Sequence, residues 1–235
     1  MGLIASLPEI DRISQSVFVM HEKSEKMIPL HTHTKGQLSY VEGGLAYIIV
    51  DQKTYVVPAR HFFWIPKKIS HSLRLGHSAT VLRSLYYYSH DDDQDPFFSK
   101  LGIYPATELL IQMIDFTERW DGLHIKRSHP DFVFFVSLKR ILPQLGLHSL
   151  MISLPITEDG RMRKILRYME QNMANPITSV KVSEHFGMSE RSMSRFFQNT
   201  LGISFLQYLK TMRMIKAIEL ILKTQDSIGE IAYLV

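Results

Sequence analysis

No part of this chain constrains its fold more than the segment Val182–Ala217, which reads VSEHFGMSERSMSRFFQNTLGISFLQYLKTMRMIKA. Its apolar pattern predicts a short helix from Thr178 to Phe186, and Gly187 then permits the left-handed backbone of a sharp helix end. Ser189 is a typical N-cap for a second helix. That helix carries apolar residues at helical spacing, namely Met193, Phe196, Phe197 and Leu201. A helix, a glycine turn and a capped helix together predict a helix-turn-helix.

The other face of the second predicted helix carries side chains suited to nucleic acid. Arginine, hydroxyl and amide groups read base edges and hold phosphates, and the second helix of a helix-turn-helix lies in the major groove. Helical hairpins that do not bind DNA share the bare pattern, so the spacing alone leaves both interpretations open. The predicted contacts with double-stranded DNA are Ser189, Glu190, Arg191, Ser194, Arg195 and Gln198.

The first half of the chain has the pattern of short β-strands. Apolar segments recur with turn signals between them, about every ten residues, which predicts a sandwich or a small barrel. The predicted β region runs from about Ser16 to Ser89, and examples of its strands are Gln37–Val41, Leu45–Val50, Thr54–Val57, His61–Ile65, Ser70–Leu75 and Thr80–Tyr88. The acidic run Asp91–Asp95 then interrupts the pattern and is interpreted as a solvated loop.

From Tyr104 onward the periodicity becomes helical. Ala106–Trp120 and Phe132–Leu142 are predicted helices, and the second is expected to end before Pro143. Their apolar faces can cover either the β-domain or a second subunit, and both alternatives stay open. Two prolines and a glycine in Pro143–Asp159 indicate a linker. The predicted domains are a β-domain at residues 1–100, a helical coupling and dimerisation segment at 101–150, and an all-α domain at 151–235.

Charge and composition separate the same two halves. Residues 1–150 carry 16 Lys and Arg against 15 Asp and Glu, whereas residues 151–235 carry 11 against 8. A basic second half suits a surface that faces phosphates. The chain has no cysteine, which excludes disulfides and thiolate chemistry. No apolar run approaches the ~18 residues of a membrane span. We therefore expect a cytoplasmic protein with no membrane partner.

Histidines give the first half its chemistry. His31 and His33, two residues apart, project to the same face of a strand, and His71 from a later strand can meet them inside a barrel. Three imidazoles and one oxygen donor form a ligand set for a divalent transition metal such as Zn, Ni, Fe or Mn. The predicted metal ligands are therefore His31, His33, Gln37 and His71. The alternative is that these histidines bond to the backbone and bind nothing.

Aromatic residues on the same strands indicate a small-molecule pocket as a further hypothesis. Ligand cavities in barrels are largely apolar, with a few polar groups. The predicted lining residues are Tyr40, Tyr47 and Trp64, with Tyr86 or Tyr88 as further candidates. The alternative is that they form core, as aromatic residues on strands usually do. The sequence contains no Gly-rich phosphate loop, HExxH or GxSxG motif, so we expect no enzyme.

Positions spread over the last third of the chain support a more specific interpretation. They are Gly187-Met188-Ser189, Arg195, Phe197, Gly202, Tyr208, Arg213, Ala217, Leu220, Ile228 and Ile231-Ala232. In this register the segment resembles the AraC/XylS family of bacterial transcription regulators, and Leu154–Arg161 resembles the leader of one branch. The resemblance implies two helix-turn-helix units joined by a long helix, here Phe205–Lys223. Of the second unit the sequence contains only Ile228–Val235, so the resemblance implies a truncated unit. Ser183 stands where the family usually has alanine.

The histidine motif carries a second resemblance. The spacing HxHxxxQ from His31 to Gln37, then Gly43, and PxxxxH from Pro66 to His71 resemble the two motifs of the cupin fold. Metal-binding cupins usually have Glu at the position of Gln37, which implies weaker metal binding here. Regulators of the AraC type also have an N-terminal cupin-like barrel. The expected fold class is α+β: an N-terminal cupin-like β-barrel, helices, and a C-terminal all-α helix-turn-helix module that is incomplete.

These patterns predict a ligand- or metal-responsive transcription regulator that binds specific DNA. A small molecule or a metal would bind the barrel as effector, and a homodimer would hold the DNA. Effector binding would change which DNA half-sites can be reached together. Two alternatives are a cupin-type metalloenzyme and a truncated regulator that has lost operator binding and acts by dimerisation.

Overall fold

The computed structural model of the chain describes residues 3–22, 26–76 and 81–235, and these form two compact units. The first unit comprises the residues up to Asp51 together with Val56–Met151, and the second comprises Gln52–Tyr55 together with Ile152–Val235. Segment 101–150, which the sequence analysis treats as separate, therefore belongs to the unit that contains the strands. Thr80, the predicted start of one strand, lies outside the described residues.

Two sheets build the β-domain. Its strands are β1 (Ser16–Glu22), β2 (Met27–His31), β3 (Gly36–Glu42), β4 (Leu45–Val50), β5 (Lys53–Pro58), β6 (His61–Ile65), β7 (His71–Leu75), β8 (Val81–Tyr87), β9 (Gly102–Pro105) and β10 (His124–Lys126). One sheet has the order β10-β1-β8-β3-β6-β9, and all its neighbours are antiparallel. The other has the order β11-β5-β4-β7-β2, where β11 (Ser153–Pro155) pairs with Lys53–Tyr55 within the second unit. The predicted cupin-like β-domain is confirmed.

Strand β3 shows how alternation sorts the side chains of this domain. Gln37 and Ser39 are buried toward the interior between the two sheets, where Gln37 reaches His71 of the opposite sheet. Leu38 and Tyr40 project from the other face and belong to the core formed with the helices. Because successive side chains of a strand point to opposite faces, a shift of the strand by one residue would exchange the side chains that face the interior for those that face the helices.

Helices cover the outer face of the first sheet. After α1 (Leu3–Ser6), the first unit contains α2 (Glu108–Phe116), continued by a 3₁₀ turn at Thr117–Trp120, and α3 (Phe132–Leu145). Residues from both helices pack with Trp64 and Tyr87 in one apolar core. The predicted end of α3 at Leu142 is wrong, because the helix passes through Pro143. A proline this near the end removes one N–H donor, and the helix closes with the Gly146 N–H donating to the Leu142 carbonyl.

A buried lysine overturns the interpretation of Asp91–Asp95 as a solvated loop. Lys139 of α3 is 4% exposed, and its Nζ donates to Asp91 Oδ1 at 2.7 Å, Asp92 Oδ1 at 2.6 Å and the Tyr88 carbonyl at 3.1 Å. Asp92 is itself buried. Buried charges persist where they are paired and hydrogen-bonded, so the acidic run is an anchor for α3.

A second buried cation, Arg83 of β8, joins the sheet to the α2 region. Its Nε lies 2.9 Å from Glu42 Oε2 and 3.0 Å from Asp115 Oδ1, and its Nη1 lies 3.5 Å from Glu118 Oε2. Three carboxylates thus surround one guanidinium that is 8% exposed.

His21 of β1 is buried beside this cluster as a neutral imidazole. The Thr117 hydroxyl donates to the Ile114 carbonyl, so it accepts from His21 Nε2 at 3.1 Å. Burial lowers the pKa of His21 to about 4 against the opposing charges of Asp121 and Glu118, and the Arg83 charge lowers it further.

The second unit is helical. It contains α4 (Gly160–Gln171), α5 (Ser179–His185), α6 (Glu190–Leu201), α7 (Phe205–Lys223) and α8 (Ile228–Leu234). Its core joins residues of α4, α5, α6 and α7, including Met162, Ile165, Val182, Met193, Phe197 and Leu209. A side-chain oxygen caps the start of each of these five helices, as local sequence predicts for Thr178 and Ser189. No described helix is long and apolar enough to cross a membrane.

Candidate functional site

The predicted helix-turn-helix consists of α5, a turn at Gly187 and α6. Gly187 has φ +62°, and a side chain there would meet no steric obstacle, so glycine is required for its backbone conformation. The turn closes with the Met188 N–H donating to the Ser183 carbonyl at 2.8 Å. Met193 and Phe197 of α6 are fully buried against the core, which fixes the orientation of the helix.

The outward face of α6 presents uncommitted polar side chains. Arg191, Ser194 and Arg195 are exposed, and their side chains make no hydrogen bond or ion pair with any other described residue. They lie on the face opposite Met193 and Phe197, as helical spacing predicts. Two guanidinium groups and a hydroxyl on one exposed helix face can contact phosphates and base edges.

The other three predicted DNA contacts are engaged within the unit. Ser189 Oγ accepts from the Ser192 N–H and caps α6. Glu190 Oε2 accepts from Ser179 Oγ at 2.8 Å and joins the first turns of α5 and α6. Gln198 Nε2 donates to the Gly202 carbonyl at 3.2 Å, at the end of the helix. These bonds are exposed, and they orient α6.

Inside the β-domain, His31, His33 and His71 come together as the sequence predicts. One nitrogen from each imidazole lies within 4.8 Å of the others. His31 ends β2, His33 follows it, and His71 begins β7, which pairs with β2. His33 and His71 are buried, and His31 is half-buried.

Backbone carbonyls orient all three rings. Nδ1 of His31, His33 and His71 donates to the carbonyls of Pro29 at 2.8 Å, Lys35 at 2.6 Å and Ile69 at 2.9 Å, respectively. A neutral imidazole has one N–H, so a proton on Nδ1 leaves a lone pair on Nε2. Burial lowers the pKa of all three histidines, that of His71 to about 3, which keeps the rings neutral. Carbonyl-oriented neutral imidazoles are the arrangement found in metal sites.

The amide of Gln37 lies between two of these rings. The structure places Gln37 Oε1 3.2 Å from His33 Nε2 and 3.1 Å from His71 Nε2, with Gln37 Nε2 2.9 Å from Ser39 Oγ. Two imidazole lone pairs would repel this oxygen when no metal is bound, so we assign the donating NH₂ group to its position, since amide oxygen and nitrogen are assigned from their hydrogen bonds. The Ser39 hydroxyl can then donate to the amide oxygen, with Ser84 Oγ a further 2.7 Å away.

The donor set of this cluster fits a divalent transition metal. Three Nε2 lone pairs converge, and that of His31 has no hydrogen-bond partner among the described residues. A half-turn of the Gln37 amide would offer an oxygen to the same point, and the Ser39 hydroxyl can accept from the NH₂ group after that turn. Nitrogen and oxygen donors of this kind bind Zn, Ni, Fe or Mn.

The aromatic residues predicted to line a pocket do not face the histidines, which corrects that hypothesis. Tyr40 and Trp64 belong to the core between the sheet and the helices, and Trp64 Nε1 donates to the Phe98 carbonyl at 3.1 Å. Tyr47 pairs with Arg74, whose guanidinium lies 4.1 Å from its ring centre. All three side chains project from the face of their strand that points away from the interior between the two sheets. Tyr86 is the aromatic neighbour of the cluster, 5.2 Å from the His33 ring centre.

One buried residue next to the histidines, Lys35, was not predicted from the sequence. It is 1% exposed, and its Nζ donates to Ser16 Oγ at 3.1 Å. Burial lowers the pKa of Lys35 to about 8, and the nearby charge of Asp11 opposes this. A signal was available in the sequence, because His31, His33, Lys35 and Gln37 alternate, which predicts that their side chains share one face.

Both halves of the chain match known protein families. Residues 18–94 match the family described as AraC-like ligand binding domain. Residues 182–235 match the family described as helix-turn-helix domain. The first match contains His31, His33, Gln37 and His71, and the second contains all of α6.

Two relatives match most of the chain. The uncharacterized HTH-type transcriptional regulator YfiF of Bacillus subtilis is 23% identical over 223 residues, covering 86% of this chain and 70% of that protein. The HTH-type transcriptional regulator NimR of Escherichia coli is 24% identical over 218 residues, covering 92% of this chain and 77% of that protein.

Among solved structures, that of ToxT from Vibrio cholerae is 14% identical and covers 92% of this chain and 87% of its own. The TM-score between the two structures is 0.34. The two family matches and the two relatives agree with the exposed face of α6 and with the cupin-like β-domain. The chain is therefore an AraC-type transcription regulator with a ligand-binding domain and a helix-turn-helix DNA-binding domain.

Proposed function

We propose that α6 recognises specific DNA through Arg191, Ser194, Arg195 and Gln198. The observation that carries this proposal is the exposure of two unpaired guanidinium groups on a helix whose opposite face is fully buried. Ser189 and Glu190 contribute by orienting the helix. Each guanidinium that contacts a phosphate steepens the slope of log affinity against log salt concentration by about 0.9. Each bidentate contact with a base contributes roughly 1–3 kcal/mol to discrimination against the wrong base.

Arg195→Ala tests this proposal. Its DNA affinity should fall by roughly 5- to 150-fold, the equivalent of the energy of one base contact. Duplexes selected from genomic DNA by the wild-type protein serve as ligands, and fluorescence anisotropy at three salt concentrations gives affinity and slope. Arg140→Ala removes an exposed arginine of the first unit and is the matched control. Equal affinities of Arg195→Ala and Arg140→Ala would contradict the role of α6.

The ligand-binding domain senses a divalent transition metal through His31, His33 and His71, with the Gln37 amide as a fourth donor. The support is the convergence of three Nε2 lone pairs whose rings are oriented by backbone carbonyls. The bound metal would supply a positive charge that draws these four side chains together. A metal acts as effector only if the states with high and low DNA affinity bind it differently.

Calorimetric titration with Zn²⁺, Ni²⁺ and Mn²⁺ tests the metal proposal. His33→Ala should lose binding, since two remaining imidazoles form an incomplete site. His61→Ala is the matched control, because the His61 Nδ1 also bonds to a backbone carbonyl but the residue lies outside the cluster. Binding by His33→Ala that equals that of the wild type would exclude the site. DNA affinity with and without metal then measures the coupling.

The chain acts as a homodimer through exposed apolar residues of the first unit. Leu109 and Phe116 stand two helical turns apart on one face of α2, and Val133 at the start of α3 is 70% exposed. Light scattering should show a dimer for the wild type and a monomer for Leu109→Glu. Val180→Glu, at an exposed apolar residue of the second unit, is the control. A dimeric Leu109→Glu would contradict this interface.

The β-domain serves sensing and not catalysis, and the protein acts in the cytoplasm, where bacterial DNA is located. The support is the kinship with transcription regulators and the convergence of one nitrogen from each of His31, His33 and His71. We expect the metal-loaded protein to be recovered in the cytosolic fraction and to regulate a reporter gene. A reporter response that needs turnover of a substrate would contradict it.

A further inference from the structure

Three lysine or arginine side chains are buried among the described residues, and they differ in one respect. Arg83 is surrounded by three carboxylates, and Lys139 is bonded to two. Lys35 is the most buried of the three, at 1% exposed, and no carboxylate of the described residues lies within ion-pair distance of its Nζ. Within the part of the chain that the structure describes, two buried cations are thus ion-paired and the third, Lys35, has no ion-pair partner.

No described neighbour forms an ion pair with Lys35. Its hydrogen bond among the described residues is to the hydroxyl of Ser16, which itself donates to the Ile13 carbonyl at 2.8 Å. The charge of Asp11 acts on Lys35 from beyond ion-pair distance, and the two Asp11 oxygens accept from the N–H and the hydroxyl of Thr34 at 2.8 and 2.9 Å. Two of the three ammonium N–H groups therefore have no acceptor among the described residues. A buried ammonium is retained where an anion pairs with it.

Aromatic rings connect Lys35 with the histidine cluster. His124 Nδ1 lies 2.9 Å from Ser16 Oγ, and Phe18 stacks on the His124 ring at 4.6 Å. Tyr86 lies 6.1 Å from the Phe18 ring and 5.2 Å from the His33 ring. One cationic group beside a row of rings suits a ligand with one negative charge and an apolar body.

We infer that Lys35 binds the carboxylate of a small organic acid, which is the effector or co-effector of the ligand-binding domain. This inference rests on the proposed sensing role of the β-domain and names the chemical class of its ligand. The carboxylate of the acid is the counter-ion of Lys35, whereas Arg83 and Lys139 obtain their counter-ions from the protein itself. The apolar body of the acid lies along Phe18 and Tyr86.

Thermal unfolding of the full chain tests the inference, followed by tryptophan fluorescence. Both tryptophans, Trp64 and Trp120, belong to the first unit, so the signal reports on that unit. The probes are acetate, butyrate and benzoate at constant ionic strength. Benzamide is the neutral analogue of benzoate, and inorganic phosphate is the anion without an apolar body.

Benzoate or butyrate should raise the Tm of the wild type by about 3 °C or more, and benzamide should not. Lys35→Met should abolish this rise. Without any acid its Tm should equal or exceed that of the wild type, because an apolar group replaces an unpaired buried charge. Lys100→Met, at an exposed lysine of the same unit, should respond as the wild type does.

Four results would overturn the inference. They are no rise with any of the three acids, an equal rise in Lys35→Met, an equal rise with phosphate, and a large loss of Tm in acid-free Lys35→Met. The last result would assign Lys35 a purely structural role. Calorimetry with metals and anisotropy with DNA, both on the wild type, test the proposed function separately, so a failure here leaves those results standing.

Discussion

Replacement of Lys139 by methionine should destabilise the first unit more than the replacement of any exposed residue. The change removes three hydrogen bonds of 2.6–3.1 Å and leaves the buried Asp92 carboxylate without its cation. Methionine has a similar length, so the apolar packing of the lysine stem is largely kept. The variant therefore isolates the loss of the charge.

The expected magnitude follows from the geometry. Removal of one partner from a buried ion pair costs about 3–5 kcal/mol, because an uncompensated charge stays buried. This is a large part of the roughly 5–15 kcal/mol that stabilises a typical domain. The Tm of the first unit should fall by about 6–20 °C.

The carboxylates determine how this loss depends on pH. Burial acts to raise the pKa of both carboxyl groups. For Asp91, burial is the largest single effect, but the hydrogen bond to Lys139 together with the charges of Lys139 and His90 outweighs it, so the pKa is lowered. For Asp92, burial outweighs the bond and the charge of Lys139, so the pKa is raised. Without Lys139 both pKa values should rise, so the variant's carboxylates take up protons as the pH falls. The stability difference between the variant and the wild type should therefore shrink as the pH approaches about 4.

Urea denaturation followed by tryptophan fluorescence at pH 7.5 and pH 5 measures this effect in the first unit. Lys139→Met combined with Asp91→Asn and Asp92→Asn should recover part of the loss, since the buried charges are removed together. A loss below about 1 kcal/mol, or no recovery in the combined variant, would show that the triad lies in a well-solvated environment and would refute the reasoning.

Three further outcomes are expected. Gln37→Glu should bind Zn²⁺ at least about 10-fold more tightly in calorimetry than the wild type, because a carboxylate adds a negative ligand, and Gln37→Met should bind more weakly. Ser183→Ala should stabilise the second unit by about 1 kcal/mol in urea denaturation, because the Ser183 hydroxyl is 1% exposed and has no hydrogen-bond partner among the described residues. His21 stays neutral down to about pH 4 in the folded protein but becomes protonated below about pH 6.5 when unfolded, so it should lower stability by up to about 3 kcal/mol as the pH falls across that window. His21→Gln should flatten this decline, and an unchanged pH profile would contradict the buried neutral state.

Much of the secondary structure was predictable, because it depends on residues close together in the chain. Caps and glycine turns set the ends of α5 and α6, and α7 spans Phe205–Lys223 as predicted. Strands β4 and β6 also have their predicted bounds. The exposed face of α6 followed from helical spacing, and the meeting of His31, His33 and His71 followed from strand alternation and from a family motif.

Other features required knowledge of distant partners. Asp92 became an anchor because Lys139, 47 residues later, reaches it from α3. Three short strands, β9, β10 and β11, were not predicted, and they exist because β6, β1 and β5 offer them free edges.

The sequence alone specified the helix-turn-helix, most of the strands and the three histidines that come together, since periodicity, capping and alternation act over a few residues. The tertiary structure decided which face of each strand points toward the interior of the β-domain and which points toward the helices. Tyr40 and Trp64 turned away from the histidines, while Gln37 and Lys35 turned toward the interior. The physical reason is that alternation divides the residues of a strand into two sets, one on each face of the sheet. It does not say which set faces the interior, and only the packing of helices on one face of the sheet decides this.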